Sequence, residues 1–344
     1  MKVMMLTGLR AMEMRAAPEP AMTAATDVLL KLAVVGVCGS DIHYYTTGKI
    51  GSQVVQYPFT VGHECAAVVE RVGAAVTRVK PGDRVAVEPA MACGQCDQCR
   101  NGRPHTCRRL KFLGCPGQAE GCLAEFIVMP QECCFPIADD MSFEQAALSE
   151  PLAIGFYAVR RALPLKGARV AILGAGPIGL SVLVCARAMG AHAIYVTDKI
   201  DARLAVAKAA GATWVGNPDK VDIVKAVGTH EPLLLDVVFE CCGEQSAVDE
   251  GIELVQPGGK LMLVGIPGED RVSFVIDRAR RKELDIRNVR RQCECLRPTL
   301  ELMARGLLKA DFMITHRFRF DQAREAFDLV AAYRDGVVKA MITF

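Results

Sequence analysis

The stretch Gly174-Ala175-Gly176-Pro177-Ile178-Gly179 limits the possible folds of this chain most, because it closes an apolar run, Arg169-Leu173, and opens a helical one, Ile178-Met189. Glycines at this spacing suit a strand-to-helix turn: Gly174 permits the tight bend, Gly176 lets backbone approach a pyrophosphate, and Gly179 lets helix and strand pack closely. The helix start supplies free N–H groups and the positive end of the dipole. In that context the pattern predicts a βαβ unit that binds a dinucleotide. Asp198 ends the next apolar strand, 19 residues after Gly179. There a carboxylate can bond both ribose hydroxyls and disfavours a 2′-phosphate. NAD is therefore expected rather than NADP, with the nearby Lys199 and Arg203 softening the preference by offsetting the repulsion.

The chain has 344 residues, room for about two domains. From Lys2 to about Ile137 it alternates short β-rich runs with turn signals: Val28-Val37, Cys65-Val72, Arg84-Glu88 and Ala124-Val128, with a turn at Lys80-Pro81-Gly82-Asp83. From Pro151 apolar strands alternate with helical stretches: Ile194-Thr197, Arg203-Ala210, Leu235-Glu240 and Lys260-Val264 follow the glycine motif. The expected fold class is α/β: a β-rich domain over 1–150, then a doubly wound parallel sheet over 151–290. A tail over 291–344, with amphipathic helices at Leu300-Arg305 and Ala323-Tyr333 and a strand at Val338-Thr343, is expected to pack back on the first domain.

Lys+Arg 41 against Asp+Glu 39 leaves +2, without the basic-aromatic stripe of a nucleic-acid binder. Arg278-Arg280-Arg281-Lys282 reads as a solvated helix face. The longest uncharged stretch, Val170 to Ala186, is 17 residues and broken by glycines and Pro177, against about 20 for a membrane span. Arg10, Glu13 and Arg15 interrupt any apolar leader, so the 15 cysteines are expected to be reduced and the chain cytoplasmic.

Cys93, Cys96, Cys99 and Cys107 form C-x2-C-x2-C-x7-C in a polar loop, which suits a closed tetrahedral zinc site with a structural role. A ferredoxin-type cluster uses a tighter final spacing followed by Pro. A second set is scattered: Cys38 in Gly36-Val37-Cys38-Gly39-Ser40-Asp41, His63-Glu64 after Gly62, and Glu150 in Ser149-Glu150-Pro151. Spacing alone does not join these, since a lone Cys is most often core and a lone His most often hydrogen-bonded.

Together these segments, with Ile42-His43-Tyr44, Lys80-Pro81-Gly82-Asp83-Arg84-Val85, Glu150-Pro151-Leu152 and Thr315-His316-Arg317-Phe318, resemble the zinc-dependent medium-chain dehydrogenases, and most of all the sorbitol (L-iditol) and xylitol dehydrogenases. The resemblance implies a GroES-like catalytic domain, a Rossmann coenzyme domain with the cofactor in the cleft between lobes, and a tail that returns to the catalytic lobe. It implies that Cys38 and His63 bind a catalytic zinc, with Glu64 and Glu150 completing the sphere directly or through water, and that Ser40 and His43 relay a proton. It further implies coenzyme contacts from Pro177, Ile178, Asp198, Arg203, Val264-Gly265-Ile266 and Val289-Arg290-Arg291, substrate contacts from Ser40, Tyr44, Glu150, Arg291 and Gln292, and a homo-oligomer, tetramer or dimer, of coenzyme-domain contacts.

The chain departs from the pattern at Gln292, where sorbitol dehydrogenases carry an aromatic residue, and at Arg290, which replaces an apolar one. Two adjacent arginines suit a carboxylate, so a sugar acid such as an aldonate stands beside neutral polyols as substrate, though the reading ranked above it turns Arg290 to solvent or to a cofactor phosphate. Threonine dehydrogenase shares the Cys-His-Glu pattern, and a non-catalytic NAD-binding structural protein is the alternative outside enzymes, disfavoured by the intact ligand set.

Overall fold

The ten residues Asp27–Gly36, DVLLKLAVVG, are aliphatic and buried along most of their length, which makes them the spine of a sheet covered on both faces. In the computed structural model, which describes residues 1–269 and 271–344, Glu64–Val72 and Lys339–Thr343 flank this strand antiparallel, with Gly36 opposite Glu64 on one side and Met341 on the other. The sheet continues through Arg84–Val87 to Cys134–Pro136 in one direction and to Ile314–Arg319 in the other, while Phe126–Pro130 also pairs with the spine. Its core joins Leu30, Leu32, Val35, Val69, Val85 and Ile342 to the helix Ala323–Ala331 through Ala326 and Phe327. The turn at Lys80–Asp83 forms as read, with Gly82 at φ 91 and the Asp83 N–H donating to Lys80 O at 3.1 Å.

The second unit is a six-stranded parallel sheet in the order Trp214–Gly216, Ala193–Thr197, Arg169–Leu173, Leu235–Glu240, Val255–Leu263, Asp285–Asn288. All five strand pairs are parallel. The strand order reverses beside Arg169–Leu173, whose two neighbours are the next strand in sequence and the strand Leu235–Glu240; such a switch point is where open α/β sheets bind ligands. The helix Pro177–Ala188 starts there, and Gly179 through Ala186 are buried without interruption, so it is packed on every side.

The chain divides into Met1–Glu150 with Leu296–Ala304 and Ile314–Phe344, and Pro151–Cys295 with Arg305–Met313. The tail expected to return as one piece is thus shared. Gly306, Leu307, Lys309 and Phe312 line a cavity of about 280 Å³ with Val184, Arg187, Ala188 and Ala210, so this segment lies on the helix Pro177–Ala188. Among the described residues no helix is long and apolar enough to cross a membrane.

Candidate metal centre and coenzyme cradle

Three adjacent strands of the first unit end at Gly36, Glu64 and Lys339, and this convergence builds the centre. Cys38 caps the helix Gly39–Thr47 in extended conformation, φ −93 and ψ 152. Asp41, three residues on and 0% exposed, accepts the Cys38 N–H at 3.1 Å through Oδ2 and the Gly62 N–H at 3.1 Å through Oδ1. The same Oδ1 lies 3.4 Å from His63 Nδ1, which has no hydrogen bond in the structure, so one buried carboxylate ties both loops and sets its charge beside the imidazole. The His63 ring leans on Phe112, centroids 5.3 Å apart.

Ligand atoms of Cys38, His63 and Glu64 lie within 4.8 Å of one another. Burial opposes protonation of His63, yet the charges of Asp41 and Cys38 hold its pKa raised. The donors therefore draw positive charge between them, which is the condition a zinc ion meets, and sulfur, nitrogen and carboxylate are its ordinary ligands. Ser40 Oγ donates to Cys38 Sγ at 3.3 Å.

Lys339, 0% exposed, donates to Glu64 Oε1 at 2.8 Å, Glu64 Oε2 at 2.7 Å and Val37 O at 3.0 Å. Burial alone would discharge the amine, but Glu64 and Cys38 hold its pKa raised. A Cβ at Gly36 would stand 2.4 Å from Glu64 Oε2, so glycine there leaves room for the carboxylate. Glu150 is 7% exposed, and its charge also acts on Lys339. It sits in the helix Phe143–Ala162 immediately before Pro151, which removes a backbone donor from that helix. His43 is half-buried, and burial lowers its pKa, favouring the neutral ring.

The structure brings Cys38, His63, Glu64 and Ser40 together, and adds Asp41, Lys339 and Phe112, which sequence reasoning had not given roles. Asp41 carried a signal, an acidic residue three places after a helix-capping Cys38. A lysine inside the apolar run Val337-Val338-Lys339-Ala340-Met341 was a second. Tyr44 is buried with its hydroxyl 3.1 Å from Gln53 Oε1. Gln292, 7% exposed, accepts the Cys295 N–H at 2.7 Å and so holds the turn before the helix Leu296–Ala304. Arg290 is exposed, Arg291 is half-buried with φ 53, and the Val289 N–H donates to Leu263 O at 2.8 Å.

In the second unit Gly174 has φ 105, and a Cβ at Gly179 would lie 1.8 Å from Gly174 O, so strand and helix touch where the glycines stand. Asp198 Oδ2 accepts the Ala175 N–H at 2.7 Å and Oδ1 the Ile200 N–H at 2.8 Å, which fixes the carboxylate at the mouth of the turn. Arg203 is buried with its guanidinium beside Gly176, whereas Lys199 is exposed. Across the switch point, Glu240 Oε1 accepts the N–H of Cys242 at 2.7 Å and of Gly243 at 2.5 Å. Its backbone oxygen takes those of Val264 at 2.8 Å and Gly265 at 3.0 Å, joining two strand ends that carry Val264-Gly265-Ile266.

Cys93, Cys96, Cys99 and Cys107 gather their sulfurs within 4.8 Å. The N–H groups of Cys93 and Arg109 both donate to Cys107 Sγ at 3.3 Å. The Gln95 amide lowers the Cys93 thiol to about 6, while desolvation and the thiols of Cys96 and Cys107 push Cys99 up to about 12. Four sulfurs this close repel as thiolates, and a central divalent cation relieves the repulsion, so the donor set fits zinc.

A β-rich unit with a buried Cys-His-Glu group and a parallel-sheet unit with a dinucleotide turn define the zinc-dependent dehydrogenase class. Residues 24–139 match the alcohol dehydrogenase GroES-like domain and 177–305 the zinc-binding dehydrogenase domain. The chain is 35% identical to the sorbitol dehydrogenase of Bacillus subtilis over 99% of its own length and 97% of that protein. It is 36% identical to the L-idonate 5-dehydrogenase of Vitis vinifera, over 89% and 85% of the two chains. A zinc-binding dehydrogenase from Sinorhizobium meliloti, solved with NADP, superposes with TM-score 0.91 at 29% identity, covering 100% and 99%. The chain belongs to the zinc-dependent medium-chain dehydrogenases, on their sorbitol dehydrogenase-like branch, and is an oxidoreductase.

Proposed function

We propose that this dehydrogenase oxidises a secondary hydroxyl of a polyol or related sugar derivative to a ketone with NAD as acceptor. The observation that carries the reading is the buried meeting of Cys38 and His63 beside Glu64, organised by Asp41. Cys38, His63 and a carboxylate from Glu64 or Glu150 hold the catalytic zinc, and Cys93, Cys96, Cys99 and Cys107 hold the structural one. When bound, zinc supplies Lewis acidity that acidifies a substrate hydroxyl, and NAD supplies the hydride acceptor. Ser40 and the neutral His43 carry the released proton outward. Gly174 through Gly179, Asp198 and Arg203 hold the adenosine half of the coenzyme, with Asp198 favouring NAD. Val264 through Ile266 and Val289 through Arg291 face its nicotinamide half.

A sugar acid is the second reading, favoured by Arg290 beside Arg291 and by the L-idonate 5-dehydrogenase relative. Initial rates of NADH formation on sorbitol, xylitol, L-iditol, L-threonine and a set of aldonates decide it. Turnover of a neutral polyol is expected; turnover confined to aldonates supports the second reading, and threonine alone overturns both. The working form is a cytoplasmic homo-oligomer: Val272, Val275 and Ile276 expose an apolar patch in the unit whose sheet ends at the edge strand Asp285–Asn288. Light scattering of the eluting protein tests that assembly.

A further inference from the structure

Gln53 stands on the short strand Gln53–Val54, and the reaction above gives it no task. Its side-chain amide is engaged at both ends: Oε1 accepts the Tyr44 hydroxyl at 3.1 Å, and Nε2 donates to Cys115 Sγ at 2.8 Å. Two routes tie these three side chains to the metal donors. Tyr44 is four residues after Ser40 on the helix Gly39–Thr47, so the two share a face, and Ser40 Oγ meets Cys38 Sγ. Cys115 is three residues after Phe112, whose ring leans on His63. Between them Gly114 presses on Gly62 so closely that a Cβ would stand 2.6 Å from Gly62 O. Tyr44 and Cys115 are both buried, so this side of the centre is closed, and a carbon chain running from the donors meets it with its end.

The amide decides which way the phenol works. A tyrosine hydroxyl has one proton and two lone pairs, and an amide oxygen only accepts. With its proton given to Gln53 Oε1, the Tyr44 oxygen is left to accept. Cys115 Sγ, 4.0 Å from the same hydroxyl, is the longer and weaker acceptor for that proton. A substrate hydroxyl has a proton to give to such an oxygen. An ionised carboxylate has none, and the two acceptors would face each other unpaired.

We propose that Gln53 is a positioning residue that commits the Tyr44 proton and so makes Tyr44 an acceptor for a terminal hydroxyl of the substrate, which admits the end of a polyol and turns away a carboxylate at that point. Gln53 acts only through Tyr44. The proposal rests on the polyol reading above, and the experiment separates the failure of one from the failure of the other.

The test is a double-variant cycle on Gln53 and Tyr44, read as the competitive KI of glucarate and of xylarate against oxidation of sorbitol and of xylitol, the polyols with the same carbon skeletons. Both ends of these dicarboxylates are ionised, so either orientation brings a carboxylate to Tyr44. Gln53→Leu returns the proton to Tyr44, and KI is expected to fall about 10-fold, the scale of one hydrogen bond to a charged group. The polyol KM is expected to change no more than a few-fold, because a hydroxyl both gives and accepts. Gln53→Glu keeps an acceptor for the Tyr44 proton and is expected not to lower KI. In a Tyr44→Phe background Gln53→Leu is expected to leave KI unchanged, since the group through which it works is gone. Tighter binding does not arise from loss of fold, so the expected gain stands apart from structural damage. A parent protein that oxidises neither polyol overturns the function reading, and this proposal with it. A parent that oxidises them, but whose KI is unmoved by Gln53→Leu or falls equally without the Tyr44 hydroxyl, overturns this proposal alone.

Discussion

Asp41 holds three things with one carboxylate: the Cys38 backbone, the Gly62 backbone and the His63 imidazole. Truncation therefore acts on metal binding before it acts on the fold. Asp41→Asn keeps the size but loses the charge beside His63, and metal affinity at this centre is expected to fall about 10- to 100-fold. Zinc content after graded chelation measures this, with the four-cysteine zinc as internal reference; equal loss from both sites would show a general destabilisation instead. Asp198 was read from its place at a strand end a fixed distance past the glycine turn, whereas Cys38, His63 and Glu64 were joined only by resemblance to a family. Lys339 was given no role, because its partner lies 275 residues away and no local pattern relates a lysine on a last strand to a glutamate on an early one.

At the scale of elements, the tight bend read at Gly174 and the close packing read at Gly179 are both found, and the φ angle and Cβ distances give the physical reason. Gly179→Ala places a carbon 1.8 Å from Gly174 O, which strand and helix relieve only by separating. NADH quenching of Trp214 is expected to be lost in this variant, while both metals remain bound in the first unit. Retained quenching would show that the turn is not the coenzyme cradle. Most strands fell within a residue or two of their expected ends, Arg169–Leu173 and Leu235–Glu240 among them, because buried parallel strands are short apolar runs. The helix Phe143–Ala162 was not foreseen: Pro151 in its middle reads as a terminator, yet the helix runs on past the missing donor.

At the scale of the whole molecule, the two units carry separate groups, the Cys-His-Glu and four-cysteine clusters in the first and the glycine turn in the second. Cys99→Ser opens the structural lobe, and the first unit is expected to melt at lower temperature while the second still binds NADH. Calorimetry followed by NADH titration of the partly melted protein checks this; loss of binding in step with the lobe would show that the units unfold as one. The division of the tail between units was invisible in the sequence, since amphipathic segments record that a face is buried and not what buries it.

By itself, then, the sequence determined the class of fold, the glycine turn with its acidic strand end and the four-cysteine lobe, while the scattered Cys38, His63 and Glu64 were joined only by resemblance to a family. The turn and the lobe depend on spacings of a few residues, where backbone geometry translates directly into side-chain placement. The tertiary structure alone decided that Asp41 joins the Gly62 loop to Cys38, that Lys339 meets Glu64, and that Arg305–Met313 leaves the rest of the tail. Each of those depends on which distant segments lie side by side, a choice made by burial summed over the whole chain rather than by any local run of residues.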